Sequence, residues 1–169
     1  MDEKYTRYSI YDTAIGDVTI LADEKALVGL LFGAVDPEGC YNEENAVLYD
    51  AIIQLNQYCY GQRKSLEVRL HPPGDSFDRQ VFDYVRTIPY GKKMTYEEVA
   101  KAIDEPGAGP EVKEVLSRNP IPFFIPCHRV VGENGDIGTY VGGPELKERI
   151  LKMEEINVGR EFHPGTATE

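Results

Sequence analysis

Cys127, His128 and Arg129 stand side by side in the chain, and these residue types can do covalent chemistry. A thiol is a useful nucleophile only as a thiolate. A nearby imidazole can take its proton, directly or through a water, and a carboxylate can orient that imidazole and stabilise its charged form. Neighbouring residues of a regular strand face opposite ways, so a direct Cys127–His128 pairing needs a bend, which Pro126 could supply. Taken alone, the tripeptide reads as a buried structural cysteine beside a surface His–Arg pair. The other two cysteines, Cys40 and Cys59, read as buried structural residues. An odd cysteine count with no signal peptide at Met1–Tyr5 argues against a disulfide scaffold. No Cys-x-x-Cys or His-x-x-x-His spacing supports a metal site.

The elements that must position this tripeptide are legible from periodicity. Two β-rich runs flank Gly16-Asp17, and a third covers Ala26–Phe32, which predicts a small antiparallel sheet. Residues 34–42 read as irregular. Ala46, Leu48, Ile52, Ile53, Leu55 and Tyr58 recur at helical spacing within Glu43–Tyr60, and Gly61 is a stop signal. Leu66–Leu70 alternates and reads as a further strand. Pro72-Pro73-Gly74-Asp75 is the candidate linker. Beyond it, Phe77–Ile88 is amphipathic, Thr95 and Glu98 form a capping box, and that helix extends to about Ile103. Pro110 suits the start of a second short helix running to Ser117, so a helix-turn-helix is predicted. Pro144 to Ile156 forms the closing helix, and the tail from Asn157 is expected to drape or fray.

The chain has 169 residues, of which 41% are hydrophobic and 28% charged. That balance fits one large or two small globular domains and excludes collagen, a coiled-coil rod and a disordered tail. No run is long enough to span a bilayer, so a soluble cytoplasmic protein, or a nuclear one in a eukaryote, is expected. The net charge is −11. Residues 1–75 carry −7 and residues 76–169 carry −4, so any contact with nucleic acid must rest on a local patch.

The stretch Asn119-Pro-Ile-Pro-Phe-Phe-Ile-Pro-Cys127-His-Arg-Val-Val-Gly132 resembles the active-site signature of the O6-alkylguanine-DNA alkyltransferases, the methylated-DNA–protein-cysteine methyltransferases. The likeness continues through Phe77-Asp-Arg-Gln-Val, Gly91 to Met94-Thr95-Tyr96, Gly138-Thr-Tyr140-Val-Gly-Gly143, and Lys147 to Glu154. It covers residues 77–156 strongly and residues 8–75 in style. It implies an α+β fold. A ribonuclease H-like N-terminal domain (1–75), with a small antiparallel sheet and a helix, would precede an α-rich C-terminal domain (76–169) that binds DNA and accepts the alkyl group.

In such a protein a damaged guanine is flipped out of the duplex so that its O6 adduct can meet the nucleophile. The resemblance implies that Cys127 attacks the alkyl carbon of O6-alkylguanine, or of O4-alkylthymine, and keeps the group. His128 becomes the water-mediated base, Glu154 its orienting carboxylate, and Asn119 the brace of the active-site strand. The Tyr96 hydroxyl serves the flipped base or its phosphate. Tyr140 walls the pocket, main-chain groups around Val130 and Val141 read the guanine edge, and Arg129 lies at the substrate. Lys147 secures the loop or the thiolate's electrostatics. Turnover is single, no cofactor is implied, and the partner is alkylated double-stranded DNA bound by a monomer.

One stretch departs from the pattern. Where family members usually carry Ala-Arg-Ala-Val-Gly at the start of the recognition helix, this chain reads Gly109-Pro110-Glu111-Val112-Lys113-Glu114. Pro110 replaces the arginine that fills the flipped base's space, and Val141 stands where many members have serine. The alkyl-accepting residues are intact, while flipping and duplex affinity are put in question. Three explanations are open: Lys113 or Arg118 substitutes as the DNA contact, the substrate range shifts toward single strands or free bases, or a local insertion shifts the alignment. The rival functions are a non-catalytic damage-binding or interaction module with a degenerate helix-turn-helix, and a different cysteine enzyme.

Overall fold

The computed structural model describes residues 6–160. They divide into two compact units, residues 6–73 with Arg160 and residues 74–159. The C-terminal tail expected to fray lies, beyond Arg160, outside the described residues.

In the first unit, β1 (Arg7–Thr13), β2 (Gly16–Ala22) and β3 (Leu27–Phe32) pair antiparallel. A two-residue β4 (Tyr41–Asn42) adds to β1 in parallel, giving the order β3-β2-β1-β4. The expected irregular segment therefore ends in a strand. Val18, Ile20 and Ala22 alternate into the core and are fully buried. The helix α1 (Ala46–Cys59) is capped by Asn45, whose side chain accepts from the Leu48 amide at 2.9 Å. It buries Leu48, Ala51, Ile52, Leu55 and Tyr58 at helical spacing.

The strand expected over Leu66–Leu70 does not form. Only a bridge between Leu27 and Leu70 is made. The backbone of Glu67 is instead tied to the buried Gln54 side chain, through Glu67 N at 2.7 Å and Glu67 O at 3.3 Å. A side chain has taken the hydrogen bonds a neighbouring strand would have used.

The second unit holds α2 (Ser76–Val85), β5 (Met94–Thr95), α3 (Tyr96–Ala102), α4 (Gly109–Ser117), β6 (Val130–Val131) and α5 (Pro144–Asn157). Asp75 and Asp78 form a reciprocal capping box that starts α2. Thr95 and Glu98 form the expected box at α3. α4 has no side-chain cap of its own. The Glu97 carboxylate of α3 accepts from Gly107 N at 2.8 Å and Gly109 N at 3.2 Å, and so covers free amides at the start of α4. β5 and β6 pair in parallel, Met94 opposite Val130 and Thr95 opposite Val131. Val81, Val85, Val99, Val112, Ile121 and Ile125 make the core beneath. Among the described residues no helix is long and apolar enough to cross a membrane.

Candidate active site

The active-site segment is a turn rather than the expected strand. Cys127–Arg129 forms a 3-10 turn, and extended backbone resumes only at Val130. Asn119 builds the loop that leads into it. Its Oδ1 accepts from Ile121 N at 2.9 Å, and its Nδ2 donates to Ile125 O at 3.0 Å and to Cys127 Sγ at 2.9 Å. Asn119 thus braces the loop and touches the sulfur as well. Phe123 in this loop sits at φ 72°, a left-handed conformation uncommon outside glycine, and its ring centroid lies 6.4 Å from that of His128.

Cys127 is 3% exposed. Burial pushes its thiol up to about 11, against the Asn119 hydrogen bond and the nearby Lys147 charge, which both pull it down. The resting group is a thiol, so a base must accept its proton when it reacts.

His128 is fully buried, and its Nε2 lies 2.7 Å from Glu154 Oε2. Burial holds the imidazole below its ordinary value in spite of Glu154. Burial would raise the Glu154 carboxyl, yet the hydrogen bonds from His128 and Arg129 and the Arg129 charge outweigh it and hold the group well below the usual carboxylate range. An ionised carboxylate only accepts, so the neutral imidazole carries its proton on Nε2 and keeps its lone pair on Nδ1.

Arg129 is not the surface residue that the tripeptide alone suggests. It is 7% exposed and grips Glu154 through Nε at 3.0 Å and Nη2 at 2.9 Å, while Nη1 donates to Ile88 O at 2.7 Å. Its guanidinium lies 5.5 Å from the Tyr90 ring centroid. The role is to neutralise and aim Glu154 from behind His128. Glu154 is completed by Gly91 N at 3.1 Å. Gly91 has φ 79°, and a Cβ there would collide with Val158.

Lys147 is fully buried and donates to Val130 O at 2.7 Å and Thr139 O at 2.9 Å. Burial pushes its ammonium down to about 8. One side chain thereby pins β6 to the 138–143 loop and sets a positive charge near Cys127. It also engages the Val130 carbonyl, the main-chain group expected at the guanine edge. The Tyr96 hydroxyl accepts from Thr139 N at 3.1 Å, and a side chain at Gly138 would strike that hydroxyl. Tyr140 is 8% exposed and meets the His128 ring edge-on at 6.5 Å. Val141 is 39% exposed on the same loop.

Of the residues placed on the helix-turn-helix, Pro110 lies exposed in the first turn of α4. Lys113 is turned over the Tyr96 ring at 5.8 Å, and Arg118 reaches Asp78 Oδ2 at 3.6 Å. Among the described residues no group of three metal-ligating side chains occurs.

Two family models match the chain. The 6-O-methylguanine DNA methyltransferase ribonuclease-like domain covers residues 6–72, and the DNA binding domain of the same proteins covers residues 76–156. The methylated-DNA–protein-cysteine methyltransferase of Methanosarcina acetivorans is 36% identical over 87% of this chain and 97% of its own length. The constitutive enzyme of that name from Bacillus subtilis is 30% identical over 89% of this chain and 96% of its own. The chain belongs to the methylated-DNA–protein-cysteine methyltransferase family. Among solved structures, Mycobacterium tuberculosis OGT in complex with DNA superposes with a TM-score of 0.84 at 32% identity, over 89% of this chain and 94% of that one.

Within that family setting, the sequence reading missed four groups of the site: the Ile88 carbonyl, the Gly91 amide, the Tyr90 ring and the Glu97 carboxylate. Two are main-chain groups, which carry no residue-type signal. Nothing in the sequence pattern singles out Tyr90, and Gly91 stands there as the start of the stretch that resembles the helix-turn-helix entry. Glu97 was passed over because its capping partners lie ten and twelve residues away, beyond the spacing of a local capping box.

Proposed function

We propose that the protein repairs DNA by direct reversal, moving the alkyl group of O6-alkylguanine, or of O4-alkylthymine, onto Cys127 Sγ. The new S–C bond forms as the O6–C bond breaks. The thiol proton passes to His128 Nδ1 through a water, guanine takes a proton from the Tyr96 hydroxyl, and the imidazolium gives its proton back through solvent to the phenolate, so that the net proton moves from sulfur to guanine. Lys147 steadies negative charge on sulfur, and Glu154 with Arg129 keeps His128 in the tautomer that can act as a base. The product is a thioether, which cannot act again, so each molecule turns over once. Tyr140 and Val141 flank the base, with main-chain groups near Val130 at its edge. The protein acts as a cytoplasmic monomer, and the damaged base enters the pocket flipped from DNA, with α4 and its Pro110, Lys113 and Arg118 at the nucleic acid.

The observation that carries this reading is the chain of contacts from Asn119 to Cys127 Sγ and from His128 to the buried, arginine-neutralised Glu154. A non-catalytic binding module has no use for that chain and is not favoured. The decisive experiment is peptide mass spectrometry after incubation with DNA containing O6-methylguanine. One added methyl on the Cys127 peptide, absent from Cys127→Ala, is the expected result. An unmodified Cys127 under saturating substrate would overturn the proposal.

A further inference from the structure

We propose that the outer face of α4 makes this protein an alkyl acceptor that works faster on unpaired strands than on intact duplex. The inference rests on the alkyl-transfer reading above and deepens it by naming the preferred form of the substrate.

The argument starts from charge. From Tyr96 to Arg118 the helix-turn-helix carries six carboxylates and three cations. Affinity for duplex DNA comes largely from cations placed against phosphates, and carboxylates in the same position oppose it. The three cations balance only half of these carboxylates. Lys101 sits in the last turn of α3. Lys113 lies over the Tyr96 ring at 5.8 Å. Arg118 is drawn to Asp78 at 3.6 Å. Lys113 is thus held against the protein, while Arg118 stays 58% exposed beside Asp78 and is the one cation of the three at the end of α4.

What α4 presents outward is Pro110, Glu111, Glu114 and Ser117, all exposed. Glu111, Glu114 and Ser117 recur three residues apart, and Pro110 lies four before Glu114, so Glu114 shares a side of the helix with each of the others. Glu111 and Glu114 add repulsion toward a phosphate backbone on that side. Pro110 offers a compact ring with no hydrogen-bond donor. The amides that could hold a phosphate at the start of α4 are partly filled by the Glu97 carboxylate.

Extracting a base from a fully paired duplex costs a few kcal/mol, and least where the base is already unpaired. A protein whose groove-facing helix repels the backbone recovers little of that cost. The cysteine pocket is built mainly from other elements, the 119–131 segment, the 138–143 loop and α5, and neither Glu111 nor Glu114 is among the charges that shift Cys127, His128 or Lys147. Access to the base, and not the alkyl transfer, becomes the slow step on duplex.

The test compares three probes at one physiological salt concentration: free O6-benzylguanine, a single-stranded oligonucleotide bearing O6-methylguanine, and the same strand in a fully paired duplex. Second-order rates are read from Cys127 alkylation. The single strand is expected to react at least roughly tenfold faster than the duplex. The double variant Glu111→Gln/Glu114→Gln is expected to narrow that gap severalfold by accelerating duplex, with the free-base rate unchanged. Equal rates on the two DNA forms, or a gap the variant leaves as it was, would overturn the inference while free O6-benzylguanine still reports an active cysteine. Silence with all three probes would overturn the alkyl-transfer reading, and this inference with it.

Discussion

Two ion clusters in this protein have similar distances and opposite surroundings. In the first unit Arg7 bridges Glu24 at 2.6 Å and Glu43 at 2.9 Å. In the second, Arg129 holds Glu154 at 2.9 Å, and Glu154 holds His128 at 2.7 Å. The Glu24 and Glu43 side chains are 65% and 64% exposed, whereas Glu154 is 1% exposed and His128 fully buried. Water competes for every group of the first cluster and salt screens it, so its net contribution is small. In the second, no solvent replaces a lost partner, and removing one charge strands another. Distance alone does not rank these pairs; burial does. Burial keeps His128 neutral, and the hydrogen bonds and the Arg129 charge keep Glu154 ionised against it, which gives the second cluster its chemistry.

The comparison can be broken most severely at its buried member. Glu154→Gln leaves Arg129 buried without its counter-charge, and a fall of about 3–5 kcal/mol in unfolding free energy is expected. Urea denaturation measures it. Methyl transfer to Cys127 should fall too in the fraction that remains folded, since His128 loses the acceptor that fixes its tautomer. A variant as stable as the parent would show that the buried pair is dispensable.

Acid gives a graded version of the same break. Glu154 has a depressed folded pKa, so its contribution is complete above the unfolded value of 4.5 and is lost as pH falls below it. His128 is likewise depressed from 6.5, so protonation favours the unfolded chain below that pH. Both act in one direction. Stability should begin to decline below about pH 6.5 and fall more steeply below about 4.5, as read from urea midpoints across a pH series. A flat profile between pH 7 and 4 would count against the assignment of charges in the site.

The smallest effect belongs to the exposed cluster. Glu24→Gln is expected to leave the urea midpoint unchanged within error at physiological salt. A clear loss of stability that survives added salt would mean the surface bridge is worth more than its exposure allows.

Much of this molecule was legible in the sequence because it is encoded over a few residues. The Thr95–Glu98 capping box, the Pro110 helix start and the apolar faces of α1 and α5 arise from local hydrogen bonding and from side chains three or four positions apart. The Cys127-His128-Arg129 run and its spacing to Asn119, Tyr140, Lys147 and Glu154 pointed to the reacting group for the same reason: residue types in fixed order are visible without a fold. Tertiary structure alone decided the remainder. It turned the expected strand at Cys127 into a 3-10 turn and replaced the strand at Leu66–Leu70 with bonds from Gln54. It drew Arg129 inward to Glu154, 25 positions away, and to Ile88 O, 41 positions away. It turned Lys113 over the Tyr96 ring and left Glu111 and Glu114 exposed on α4. Charge type is written in the chain. Whether a charge meets water or a buried partner is set by packing between segments far apart in sequence, and that choice fixed both the chemistry of the cysteine pocket and the surface offered to DNA.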